Sequence, residues 1–234
     1  MPTAIPLFIG REKEIHAFEE ILSLEHKELR VFFLQGPGGI GKTWLLRRCL
    51  EIANGRKDII VANDLIDMYS TNNRYINGVI KSVIQHIPQN ELPAEAYNKY
   101  QTALKIYEDA RLGKLDQLEN GQQVNGVEDQ MSQSEKVEYR LLAMRDAFQE
   151  VIRSICKEHI LVLAFDTFEN VQNGPVGKWL LSTDGLGIPG VLCLIASRIK
   201  PMEDAPGTRK FPYLPVSRLT DDEALLLYYK YTSS

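Results

Sequence analysis

Residues Gly36-Pro37-Gly38-Gly39-Ile40-Gly41-Lys42-Thr43 satisfy G-x-x-x-x-G-K-[ST] at each of its fixed positions. That pattern is chemistry for holding the phosphates of a nucleoside triphosphate. Gly36, Gly38, Gly39 and Gly41 let the backbone turn tightly and aim its amides at phosphate oxygens that a side chain would hold away. Lys42 is the cation for the β- and γ-phosphates, and Thr43 offers a hydroxyl to Mg²⁺. A helix opening at this point, with Trp44 in its first turn, turns its positive end toward the anion. The expected phosphate-contacting set is therefore the run from Gly36 to Trp44, including Pro37 and Ile40.

A site that hydrolyses a triphosphate also needs a carboxylate for the magnesium shell, and the end of a buried strand beside the loop is the economical place for it. Asp166 directly follows the apolar run Ile160-Leu161-Val162-Leu163-Ala164-Phe165 and is the expected magnesium acid. Glu169 is the nearby acid that would polarise an attacking water. A further apolar run, Val191 to Ala196, ends in Ser197-Arg198, which puts a guanidinium at the carboxyl edge of a sheet, where a γ-phosphate would lie. The expected catalytic set is Lys42, Asp166, Glu169 and Arg198, with Thr43 and Asp166 on the metal.

These residues need a scaffold, and the pattern of the chain supplies one. Val31-Phe32-Phe33-Leu34 reads as a buried parallel strand before the loop, and Trp44 to Leu50 as the helix after it, stopping near Gly55 in a left-handed cap. Ile15, Phe18 and Leu22 share one face of a helix starting near Arg11. Ile59 to Ala62 suggests a second strand, and Tyr75 to Ile87 a helix halted by Pro88. The runs 160–165 and 191–196 add two strands, and Leu214-Pro215-Val216 a short fifth. Thr220-Asp221-Asp222-Glu223 is a capping box for a last helix.

Between Pro93 and about Lys157 the pattern changes to two long amphipathic helices with no strand, an expected helical insertion. Ala96, Tyr100, Ala103, Tyr107 and Ala110 stripe the first, and Val137, Leu141, Met144, Phe148, Val151 and Ile155 the second, which Ser132 and Glu135 would cap. Asp116 to Gln133 is poor in large apolar residues, so a mobile loop is expected there.

Composition narrows the class. With 234 residues, 44% of them hydrophobic, the chain can bury a substantial core. A net charge of −4 without a long basic run does not indicate an extended nucleic-acid surface. Cys49, Cys156 and Cys193 are too few and too scattered for a disulfide framework or metal site, and read as reduced core residues of a cytoplasmic protein. No apolar stretch approaches the ~18 residues of a membrane span, and the N-terminus carries no export signal.

Four motifs in order resemble one class of proteins. Phe8-Ile9-Gly10-Arg11-Glu12-Lys13-Glu14, upstream of the phosphate loop, resembles the opening of the STAND class of signalling ATPases, which includes the NB-ARC and NACHT proteins and is related to AAA+ ATPases. Leu161 to Asp166 resembles their second acidic motif, and Ala196-Ser197-Arg198 their sensor strand. Leu214 to Leu225 resembles their Leu-x-x-Leu-[ST]-x-x-Glu-Ala segment, with Leu219, Thr220, Glu223 and Ala224 in register.

The resemblance implies an α/β three-layer P-loop fold with a five-stranded parallel sheet ordered 5-1-4-3-2, the sensor strand lying between the loop strand and the Asp166 strand. It implies ATP or ADP with Mg²⁺ as ligand, and Ile9, Gly10 and Arg11 at the adenine end. It also admits a nucleotide-dependent homo-oligomer. The chain departs from the class at Thr167, where many relatives carry a second acid, so the hydrolytic base falls to Glu169. It stops at Ser234 without the lid and sensor domains of the class, as expected of a domain from a longer protein.

The function expected is an ATP-binding, slowly hydrolysing switch in a signalling, defence or regulatory protein. A DNA-handling AAA+ ATPase of the origin-licensing type is the alternative, although that type shows Asp-Glu where this chain has Asp166-Thr167. A nucleotide-binding scaffold without turnover is the third. No N-K-x-D guanine-reading motif follows a late strand, where the chain reads Ser197-Arg198-Ile199-Lys200-Pro201, which argues against a GTPase.

Overall fold

A computed structural model of the chain describes residues 9–24, 29–113, 131–201 and 213–232. Helix α1 (Glu12–Ser23) leads to strand β1 (Arg30–Gln35). After the loop come α2 (Lys42–Asn54), β2 (Ile59–Val61), β3 (Ile66–Asp67) and α3 (Ile76–His86). The long helices α4 (Ala94–Arg111) and α5 (Gln133–Ile155) precede β4 (Ile160–Asp166), α6 (Pro175–Leu180) and β5 (Val191–Ser197). Strand β6 (Tyr213–Pro215) and helix α7 (Asp221–Thr232) follow.

The six strands of the described residues form one parallel sheet, ordered β2-β4-β5-β1-β6, with β3 pairing β4 beyond the end of β2. Over the five strands read from the sequence this is the expected 5-1-4-3-2 order; the addition is β3. A two-residue strand is too short to show a period of two, so the pattern could not reveal it.

Helices cover both faces of the sheet, and successive side chains of the central strands go to opposite layers. Phe32, Leu34, Leu192, Leu194, Ala196, Val162 and Ala164 pack with Phe18 and Leu22 of α1 and Leu45, Leu46 and Cys49 of α2. Val31, Phe33, Leu161, Leu163, Phe165, Cys193 and Ile195 pack with α3 to α6 through residues such as Val83, Phe148, Val151 and Leu180. Strands buried on both faces read as continuous apolar runs, which is why 160–165 and 191–196 were legible.

The striped residues Ala96, Tyr100, Tyr107 and Ala110 of α4 and Met144, Phe148, Val151 and Ile155 of α5 are buried, and their helices pack on each other. The Ser132–Glu135 capping box forms: the Ser132 backbone N–H donates to Glu135 Oε2 at 2.7 Å, and the Glu135 backbone N–H donates to Ser132 Oγ at 3.4 Å. Of the loop expected over 116–133, all but the last three residues lies outside the described residues; Ser132 and Gln133 belong to the start of α5.

Two local expectations are corrected. Gly55 ends α2 with φ −73° and ψ −8°, a right-handed and not a left-handed cap, because its amide still reaches the Ile52 carbonyl at 3.3 Å. The last strand is 213–215, one residue earlier than read, with the Val216 amide donating to the Gln35 carbonyl just beyond it. No helix among the described residues is long and apolar enough to cross a membrane.

Candidate functional site

The loop 36–41 leaves the carboxyl end of β1, in the centre of the sheet, and α2 begins at Lys42. Gly39 and Gly41 take φ +76° and +93°, with open space where a Cβ would stand, so at these positions glycine is required by the backbone rather than by crowding. Gly36 is required by crowding: a Cβ there would lie 2.8 Å from the Val216 carbonyl oxygen. The Gly36 amide donates to the Ser197 carbonyl at 3.1 Å, tying the loop to the end of the neighbouring β5.

Parallel pairing brings the ends of β1, β5 and β4 side by side, with Gln35 opposite Ser197 and Phe165 opposite Ile195. Asp166 and Arg198 thereby arrive beside the loop although each lies more than a hundred residues away in sequence. A cleft of about 410 Å³ opens there, lined by Gly38, Gly39, Gly41, Lys42, Thr43, Trp44, Asp166, Thr167, Glu169 and Arg198.

Lys42 is buried, and its ammonium donates to the carbonyls of Gly36 at 2.7 Å and Pro37 at 2.9 Å, curling the loop around itself. Burial lowers the Lys42 pKa below its usual value, against the raising pull of Glu169 and Asp166, with Arg198 adding to the lowering. Thr43 Oγ1 donates to Asp166 Oδ2 at 2.7 Å. These are hard oxygen donors on the cleft wall beside a lysine, the donor type that Mg²⁺ takes when phosphates and water complete its shell, so the pair fits that ion.

Glu169 does not stand free. Its Oε1 pairs with Arg198 Nε at 3.1 Å and its Oε2 accepts the Arg198 backbone N–H at 3.1 Å. The Arg198 side chain is 64% exposed and Glu169 only 18%, so the guanidinium is the partner with room to move. Gln172 braces the same edge, accepting from Ser197 Oγ at 2.7 Å and donating to the Lys200 carbonyl at 2.5 Å.

Ile9, Gly10 and Arg11 are not among the cleft-lining residues. Arg11, left-handed at φ 72°, is buried and spans three elements. Its guanidinium donates to Ile40 O in the loop at 2.9 Å, to Ser217 O after β6 at 2.6 Å, and to Glu14 Oε1 in α1 at 3.2 Å. Gly10 packs against Glu223, whose carboxylate accepts from the Thr220 amide at 2.7 Å in the expected capping box of α7. Pro37, Gly36 and Ile40 likewise shape the loop from behind the cleft wall. Trp44 lines the cleft, half exposed, with the Arg47 guanidinium over its ring at 5.8 Å.

The sequence pattern missed Asp67. Strand β3 sets it in register with Asp166, and its Oδ1 accepts the Thr167 hydroxyl at 2.6 Å. The only sequence signal was an acid after Leu65-Ile66, too short a run to be read as a strand end.

Residues 7–183 match the family described as AAA ATPase domain. The chain belongs to that family. No curated protein matches it. Among solved structures the AAA ATPase domain is similar to a chain in a structure of Drosophila ORC bound to DNA, with a TM-score of 0.58 and 15% sequence identity. That similarity covers 97% of this chain and 48% of the other, so the chain spans about half the length of the ORC chain it matches. Identity this low speaks for the fold alone: an α/β P-loop architecture with a parallel sheet.

Proposed function

We propose that this AAA ATPase domain binds ATP with Mg²⁺ in the cleft at the end of β1 and hydrolyses it slowly, as the nucleotide-dependent switch of a larger protein of the STAND type. The observation that carries the reading is the meeting, in one cleft, of Lys42, the Thr43–Asp166 hydrogen bond and the Arg198–Glu169 pair.

In this reading the amides of the loop and Lys42 bind the phosphates, and Thr43 with Asp166 holds Mg²⁺, which supplies charge neutralisation for the phosphoryl oxygens when bound. Arg198 senses the γ-phosphate by leaving Glu169 for it. Glu169 is then released to polarise water, and because hydrolysis by this route waits on that exchange, turnover is slow. Ile9, Gly10 and Arg11 are assigned to the adenine end from outside the cleft lining, Arg11 acting by fixing Ile40 and Ser217. Since Arg11 ties the loop to the segment entering α7, a change at the phosphates has a path of direct contacts to the end of the described chain. Helices α4 and α5 are read as an insertion in such a domain, and the protein as cytoplasmic.

A second reading, a DNA-handling AAA+ ATPase of the origin-licensing type, draws support from the fold shared with the ORC chain. Calorimetry tests the site that both readings share, and DNA binding parts them. Calorimetry with ATP and Mg²⁺ is expected to show binding that Lys42→Ala abolishes, and unchanged affinity in that variant would refute the site. Binding of duplex DNA that strengthens with ATP would favour the second reading over the first.

A further inference from the structure

Glu169 and Gln172 reach the end of β5 from one short piece of chain. Glu169 lies in the 3₁₀ turn Phe168–Asn170 after β4, and the Gln172 amide still donates to the Phe168 carbonyl at 2.9 Å, so both residues are held on the same turn. Three residues apart in such a turn is one face. The Gln172 backbone is also wedged in place: a Cβ on Gly177 would lie 2.7 Å from its carbonyl oxygen.

The orientation of the Gln172 amide follows from its partners. The Lys200 carbonyl only accepts, so Nε2 faces it at 2.5 Å and Oε1 is left to face Ser197. That oxygen only accepts in turn, so the fully buried Ser197 hydroxyl donates to it at 2.7 Å and takes the Ile199 amide on its own oxygen at 3.2 Å. Gln172, Ser197, Ile199 and Lys200 thus close a ring around the segment that carries Arg198.

Glu169 makes two different bonds to that segment. Its Oε2 accepts from the Arg198 backbone amide, which the ring fixes, and its Oε1 pairs with the Arg198 side chain, which is 64% exposed. The same guanidinium rests on the phosphate loop, its central carbon 3.4 Å from where a Cβ on Gly38 would stand.

We propose that Gln172 is the positioning residue of the γ-phosphate switch: by pinning residues 197–200 it keeps the Arg198 amide on Glu169 Oε2 while the Arg198 guanidinium moves from Oε1 to a γ-phosphate. This role presupposes Arg198 as the γ-phosphate sensor of the proposed function. Only one oxygen of Glu169 is uncovered by the move, so the carboxylate stays aimed as it is released. The guanidinium also swings from a fixed origin, and less of the new charge-assisted bond is spent on ordering the chain that bears it. ADP has no γ-phosphate and does not draw on the pivot.

The test measures ATP and ADP affinity, each with Mg²⁺, by calorimetry in the parent, Gln172→Met, Ser197→Ala, Arg198→Ala and Gln172→Met/Arg198→Ala, with thermal melting of each. Methionine keeps the length of glutamine and removes both hydrogen bonds. Gln172→Met is expected to lower the ratio of ATP to ADP affinity about tenfold, the scale of one charge-assisted bond, with ADP affinity within about twofold of the parent. Arg198→Ala should lower the ratio at least as far, and the double variant no further than Arg198→Ala, because Gln172 acts through Arg198. Equal losses of ATP and ADP affinity in Gln172→Met mark a merely structural role and overturn the proposal, as does a ratio within about threefold of the parent, or a double variant in which the losses add. Should Gln172→Met fail to fold, Ser197→Ala, which opens the same ring, decides by the same criteria. An Arg198→Ala that keeps the parent ratio refutes the sensor, and a parent that binds neither nucleotide refutes the site, results distinct from a failure of Gln172 alone.

Discussion

Arg11→Ala tests how the loop is anchored. The Arg11 and Glu14 side chains are only 7% and 10% exposed and meet at 3.2 Å, and the same guanidinium carries the bonds to Ser217 O and Ile40 O. Removing one partner of a buried ion pair leaves the other charge without compensation and costs about 3–5 kcal/mol. Alanine inherits the left-handed backbone at φ 72°, so no strain is relieved to offset the loss. For a chain of this length the melting temperature falls by about 2–4 °C per kcal/mol, which gives a drop of roughly 6–20 °C. Urea unfolding followed by far-UV circular dichroism measures the same loss as a shift in midpoint at constant slope. The double variant Arg11→Ala/Glu14→Ala separates the causes: removing the stranded carboxylate should restore about 2 kcal/mol, the scale of the penalty for a buried polar group left without its partner. A loss below about 1 kcal/mol in the single variant, or a double variant less stable than the single, would refute this account of the anchor.

The other expectations are more direct. Asp166→Asn should weaken Mg²⁺-dependent ATP binding more than Mg²⁺-free ADP binding, read by calorimetry; an equal loss would contradict the magnesium role. Gly36→Ala should destabilise the domain by about 1–3 kcal/mol in urea unfolding, because the new methyl must push aside the Val216 carbonyl 2.8 Å away. Steady-state turnover should fall below roughly 10 s⁻¹, the median for enzymes, and a faster rate would argue against a switch. Burial raises the Cys156 thiol from its ordinary value of 9.0 to about 12, and pushes Cys49 and Cys193 up as well. The unfolded thiols ionise first as pH rises, so this stabilisation is whole below pH 9 and is lost above it, most steeply up to about 12. Alkaline unfolding midpoints should therefore move to higher pH in Cys156→Ala, and an unchanged midpoint counts against it.

Sequence alone determined the glycine-rich loop 36–41 and the helix that follows it, because that pattern is local: its glycines, lysine and threonine hold positions fixed within a single turn. It also determined the central strands, since residues buried on both faces leave unbroken apolar runs, and with them the placing of Asp166 and Arg198 at strand ends. What lay beyond it were relations between elements. Arg11 was expected at the adenine end, and only the packing of α1 against the loop and the segment before α7 showed its guanidinium spent on Ile40, Ser217 and Glu14. Glu169 was read as a carboxylate near the site, and only its distance to Arg198 showed that it is paired. Asp67 was invisible, because β3 is too short to leave a pattern and the residue meets Thr167 across a hundred positions of chain. Periodicity records how each segment buries its own surface; which polar groups then face one another is set by strand register and loop path, and those exist only in the folded sheet.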